Sequence, residues 1–236
     1  MAKVTLGIGM SHTPRLVSEP EDWLHFDSFG DGMGGFLDVD GVWITGNELK
    51  AKYGNSYADQ ATMPIWKERY AMARKAIGRL AASVGEAKID VMIVLGDDQN
   101  ELLDKRNYPA VHVFTGDNFK MVDLKARATR RTSGAFPDEV RQRIAKGWFM
   151  DGPHTYPNHR PLANEIVKQM LALGITPSIA EEHQTDPTFG YGHGIGIVIQ
   201  QLLEVQKGRD QQIPLIPILL NTYFPPNQPT PEICWQ

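Results

Sequence analysis

Apolar residues recur along this chain with two different periods, and their alternation predicts a layered α/β fold. Residues 63–84 place Ile65, Trp66, Tyr70, Ala73, Ile77 and Leu80 at three- and four-residue steps, which makes one apolar helix face. Pro64 suits the first turn of that helix and Gly85 its end. Residues 89–95, Ile-Asp-Val-Met-Ile-Val-Leu, form a nearly continuous apolar run, the pattern of a central parallel strand covered on both faces. Further strands are predicted at 110–114, 175–180 and 213–220, and helices at 137–149, 161–173 and 197–203. Val140, Ile144 and Trp148 share one face of the first of these helices, and Gly174 stops the second.

The opening stretch, Val4-Thr-Leu-Gly-Ile-Gly-Met-Ser-His12-Thr-Pro14, reads as a buried strand that delivers one histidine. Val4, Leu6 and Ile8 favour a strand, and Gly7 and Gly9 suit close approach by a ligand or another backbone. Ser11 and Pro14 turn the chain so that His12 falls just past the strand end, where open α/β sheets bind ligands. A satisfied strand-end histidine is the competing reading. The whole pattern predicts a single α/β domain over residues 1–236, its mostly parallel sheet flanked by helices on both faces.

Residues 15–62 fit neither period and are predicted to form a long irregular loop anchored by Trp23, Phe26, Phe29 and Phe36. Gly30, Gly32, Gly34 and Gly35 do not make a phosphate loop, because no strand feeds them and no Gly-Lys-Ser/Thr follows. His25, among Trp23, Leu24 and Phe26, reads as packed and structural.

Candidate chemistry gathers at the predicted strand ends. Gly96-Asp-Asp-Gln-Asn-Glu101 is either a ligand-binding cluster or an Asp-rich turn capping Leu102 and Leu103. His193 lies between glycines at a predicted helix start, a place that favours a neutral imidazole and an acid–base role. His112, alternating with apolar neighbours, reads as structural, and His154 and His159 as loop residues without metal-site spacing.

Composition narrows the partners. Of 236 residues 42% are hydrophobic and 22% charged, with a net charge of -4, a balance that argues against nucleic acid or an anionic membrane as partner. The densest basic patch, Lys125, Arg127, Arg130 and Arg131, reads as a solvated face or an anion contact. Cys234 is the only cysteine, which excludes an internal disulfide framework and, with no signal-like start, predicts a cytoplasmic protein. No apolar run approaches the roughly 20 residues needed to cross a bilayer.

Four blocks carry a resemblance: Ile8-Gly-Met-Ser-His-Thr-Pro14, Val94-Leu-Gly-Asp-Asp-Gln99, Phe189-Gly-Tyr-Gly-His-Gly194 and Leu219-Leu-Asn-Thr-Tyr-Phe-Pro-Pro-Asn-Gln-Pro-Thr-Pro231. Together they resemble the class III extradiol ring-cleavage dioxygenases, and more narrowly the group around the catalytic β subunit of protocatechuate 4,5-dioxygenase. The resemblance implies a doubly wound α/β fold holding one non-haem Fe(II) through two histidines and a glutamate, with a further histidine for acid–base catalysis. It matches His12 to the first iron ligand and His193, the candidate catalytic residue, to a histidine of the substrate pocket placed to bind or protonate the hydroxylated substrate. Where the family has its second iron histidine this chain has Gln99, a weak ligand for Fe(II), which leaves two alternatives: Asp97, Asp98 or Glu101 substitutes, or the metal is lost.

The family's motifs downstream of the Asn-Thr-Tyr block have no counterpart here. Thr230-Pro231-Glu232 is a good helix start with four residues after it, which predicts a sequence that stops inside a larger fold. The expected activity is Fe(II)-dependent cleavage of a hydroxylated, optionally carboxylated, aromatic diol with O2, in a homo- or hetero-oligomer. The alternative is a catalytically silent partner subunit or a truncated fragment of such an enzyme. Metal-dependent hydrolysis by His12, Asp97 and Asp98 ranks below both, since no compact metal motif occurs.

Overall fold

The computed structural model describes residues 2–26, 36–54, 56, 58–104, 106–127, 136–206, 211–222 and 225–235. Its elements in chain order are β1 (Phe36–Leu37), β2 (Trp43–Ile44), α1 (Gly46–Tyr53), α2 (Met63–Ala87), β3 (Met92–Asp97), β4 (Val111–Phe114), β5 (Asn118–Lys120) and α3 (Leu124–Arg127). They continue with α4 (Asp138–Gly147), β6 (Thr155–Pro157), α5 (Arg160–Ala172), β7 (Ser178–Ala180), α6 (His193–Val198), β8 (Leu215–Leu220) and α7 (Pro231–Trp235). One π-helical turn, Ile199–Leu203, extends α6.

Four strands form the main sheet in the order β3-β8-β4-β7. β3 runs parallel to β8, β4 runs parallel to β7, and the two pairs meet through an antiparallel β4–β8 contact. The fold is therefore mixed α/β, and this sheet is of mixed orientation, two of its three pairings being parallel and one antiparallel. Period-two alternation on β8 explains the layers. Leu215 and Leu219 join Val84 of α2 and Ile195 of α6 in one apolar cluster, while Ile216 and Ile218 join Ala163 and Val167 of α5 in another. Helices thus cover the sheet from both sides.

Three expectations need correction. Residues 2–13 form no strand: Val4 is 89% exposed, nothing lies within 4 Å of where a Cβ would sit on Gly7 or Gly9, and only Leu6 and Met10 reach the apolar clusters. β3 is an edge strand. Met92 and Val94 face the core, but Ile93 and Leu95 on the other face are 47% and 67% exposed, because α5 packs over β4 and β8 and stops short of them. Residues 15–62 are more regular than expected, holding two 3-10 turns, the β1–β2 ladder and α1. Thr45 begins α1 with a capping box: its hydroxyl accepts the Glu48 N–H and the Glu48 carboxylate accepts the Thr45 N–H. Phe29 and the glycines at 30–35 lie outside the described residues.

Elsewhere the helices match their patterns. α2 runs through Gly85 to Ala87 because the Gln206 side chain packs against that glycine and bonds the Ala81 carbonyl. Its stop is Lys88, in the left-handed conformation at φ 48°. Among the described residues no helix is long and apolar enough to cross a membrane.

Candidate functional site

The C-terminal end of β3 collects four side chains from three distant parts of the sequence. His12 comes from the opening segment, Asp97 from β3 itself, Glu101 from the turn that follows, and His193 from the first residue of α6. His12 Nε2 lies 3.5 Å from Asp97 Oδ1. The His12 and His193 rings meet edge to face with centroids 4.7 Å apart. His193 Nδ1 lies 2.6 Å from Glu101 Oε1, and the same oxygen accepts the His193 backbone N–H at 3.2 Å.

Electrostatics shift this histidine and glutamate in opposite directions, each favouring the charged form. Burial opposes charge on His193, but the Glu101 hydrogen bond and the charges of Glu101, Asp97 and Asp98 outweigh it and raise its pKa above the ordinary value. Burial likewise opposes charge on Glu101, and the bonds and charge from His193 hold its pKa below the usual carboxylate range. The helix start that favours a neutral imidazole is thus opposed by a carboxylate 2.6 Å from Nδ1, and α6 is only 6 residues long.

The glycines around His193 also serve a different end from the one expected. A Cβ on Gly192 would overlap the Glu101 carboxylate, and one on Gly196 would overlap the Trp148 carbonyl oxygen. Close packing, rather than ligand approach, explains them. Gly194 is the open one, its nearest neighbours being Asp97 and His12 at 3.9 Å.

The remaining strand-end residues divide between the two readings of Gly96–Glu101. Asp98 is the cap: its carboxylate accepts the N–H groups of Leu102 at 2.8 Å and Leu103 at 3.1 Å. Its burial pushes its pKa up to about 6. It faces a cavity of about 10 Å³ shared with Tyr108 and Asn221, room for about one water. Gln99 donates from Nε2 to Asp97 Oδ2 at 3.3 Å and so steadies the carboxylate beside His12. Glu101 has given one oxygen to His193, and its Oε2 is buried with no partner among the described residues.

Trp148 is a site residue that the sequence pattern did not single out, since its helical spacing marked it as core. It caps α4 and lays its ring against His193, centroids 4.7 Å apart and planes tilted by 44°. The other histidines are structural. His112 is buried between the Ser178 and Tyr191 hydroxyls at 3.3 and 3.1 Å, His154 pairs with Asp151, and His159 accepts the Leu162 N–H at the start of α5.

These donors fit an iron site only in part. His12 Nε2 and Asp97 Oδ1 are spaced as two neighbouring ligands of one ion would be, given ligand bonds of about 2 Å. Among the described residues, however, no three histidine, cysteine, aspartate or glutamate side chains converge as a metal-holding group. That pair could supply one imidazole and one carboxylate to a metal, and among the described residues no third such side chain converges with them. Neither models of known protein families nor curated proteins match this chain.

Proposed function

We propose that this chain carries the acid–base and substrate side of a non-haem Fe(II) extradiol ring-cleavage site, in a dioxygenase-like α/β fold, acting on a hydroxylated aromatic. One observation carries the reading: His12 and His193, 181 positions apart in sequence, meet at the end of β3 with Asp97 and Glu101 beside them. Ring cleavage beside two hydroxyls asks for a histidine that takes a phenolic proton and returns it, near a metal that holds the diol. His193 supplies the first of these requirements and the His12–Asp97 pair supports the second.

Fe(II), when bound, would offer open positions for the diol and O2 side by side. The chain's own residues do the rest. With Nδ1–H engaged by Glu101, His193 is left to take a phenolic proton at Nε2 and return it, and the neighbouring carboxylates, which raise its pKa, favour the charged form that results. Trp148 covers one face of that imidazole and limits water there. The incomplete ligand set favours the second reading, a partner subunit that binds the aromatic and leaves oxygen chemistry to another chain.

Anaerobic Fe(II) binding by the full chain separates the two. The enzyme reading expects close to one iron per chain, lost in His12→Ala and Asp97→Asn, followed by O2 uptake with catechols. A folded chain that takes up no iron overturns it and leaves the silent-subunit reading.

A further inference from the structure

Glu101 is an expensive residue to bury. A carboxylate removed from water costs several kcal/mol unless its surroundings compensate, yet Glu101 is only 8% exposed and one of its oxygens has no partner among the described residues. A larger polar network does not account for it, because all its side-chain hydrogen bonds to described residues go to His193.

Those bonds are specific in form. A single oxygen, Oε1, accepts both the main-chain N–H of His193 at 3.2 Å and the ring Nδ1–H at 2.6 Å, so backbone and side-chain torsions of the histidine are tied to one atom. The Glu101 main chain is fastened to the same loop, its carbonyl accepting the Gly190 N–H at 3.2 Å. Asp98 fixes the turn that carries Glu101 by capping Leu102 and Leu103. Gly192, lacking a Cβ, leaves the space the carboxylate fills. Trp148 and His12 then close the ring on two sides.

We infer that Glu101 is a positioning residue for His193, holding the imidazole by Nδ1 so that Nε2 alone faces the reacting oxygen. The inference rests on the acid–base role proposed above for His193. A carboxylate behind a histidine is a known way to fix ring orientation and to choose the working nitrogen. Glu101 is thereby assigned to the histidine and removed from the metal ligands.

Two measurements test this. The first uses the full chain without metal, labelled with 15N. A protected, far-downfield proton on His193 Nδ1 is expected in the wild type, assigned by its loss in His193→Gln. It should move upfield in Glu101→Gln, whose amide oxygen is a weaker acceptor, and vanish in Glu101→Leu. Absence of that proton in the wild type, or its persistence unshifted in Glu101→Gln, overturns the inference. Glu101→Gln is nearly isosteric, so the test stands if the leucine variant does not fold.

The second uses O2 uptake with a catechol. Glu101→Gln is expected to lower kcat by on the order of 10²-fold while KM changes by less than about twofold, with Glu101→Asp intermediate. An unchanged kcat overturns the inference. If the wild type shows no uptake at all, the ring-cleavage reading fails by itself, and the nitrogen-bound proton still decides the role of Glu101.

Discussion

The carbonyl oxygen of Trp148 occupies the place that a side chain on Gly196 would take. Contact between the end of α4 and the first turn of α6 therefore depends on a glycine, and with it the stacking of Trp148 on His193. Gly196→Ala meets backbone, which cannot swing aside, and is expected to cost about 1–3 kcal/mol. Gly194→Ala, whose nearest neighbours stand at ordinary contact distance, should stay within about 0.5 kcal/mol. Urea midpoints of the two variants check this, and Trp fluorescence reports whether Trp148 leaves the histidine.

Acid should weaken the fold through two histidines that play no part in the site. Burial, then repulsion from His183, pushes His112 down to about 4, and burial, then Lys120, does the same to His183. Both stay neutral in the folded chain while the unfolded chain takes up protons. Their stabilisation is complete above the ordinary value of 6.5 and is lost as the pH falls from there toward 4. For His112 the loss is up to ~3 kcal/mol. Denaturation midpoints between neutral pH and pH 4 should fall accordingly, and His112→Gln should flatten the slope.

Adjacent aspartates should separate cleanly. Asp98→Ala strips the acceptor from two backbone N–H groups and is expected to cost about 1–3 kcal/mol while leaving Fe(II) uptake unchanged. Asp97→Asn should do the reverse, sparing the urea midpoint and weakening Fe(II) uptake. A stability loss at Asp97 with iron binding lost at Asp98 would reverse the assignment.

The edge position of β3 has its own test. Leu95→Lys places a charge on an exposed face and should change stability by no more than about 0.5 kcal/mol. Ile216→Ala, in fully buried β8, should cost about 2–5 kcal/mol. A central β3, as its apolar run alone predicts, would make Leu95→Lys the more damaging of the two.

That contrast shows where the sequence speaks and where it stops. Helices α2, α4 and α5 were legible because a period near 3.6 with a proline start or a glycine stop is a local signal, and Gly174 ends α5 in the left-handed region at φ 82°. Strand position was not, since the same apolar run suits an edge or a centre and only the length of α5 decides which part of the sheet is covered. Within Gly96–Glu101, residue types located the site but not the division of labour. The two backbone N–H groups captured by Asp98 and the reach of Glu101 to His193 depend on the turn after β3, which no pattern encodes. Trp148 was hidden for the opposite reason, its helical spacing giving a sufficient account of it as core. The capping box at Thr45 and Glu48, by contrast, stood in the sequence as Thr-x-x-Glu and was lost inside a stretch read as irregular.

His12 rides on a segment that no described backbone hydrogen bond ties to the sheet, whereas Asp97, Glu101 and His193 sit on packed elements. The site thus joins a packed wall to an arm held by Leu6 and Met10 and, at His12, by contacts with Asp97 at 3.5 Å and with the His193 ring. Under the role proposed for His12, an ion or substrate that needs the histidine would bind in proportion to the docked fraction of that arm. Affinity there would depend on how the arm is clamped as well as on the ligands themselves. A contact that pins the arm from outside would tighten binding without touching the site.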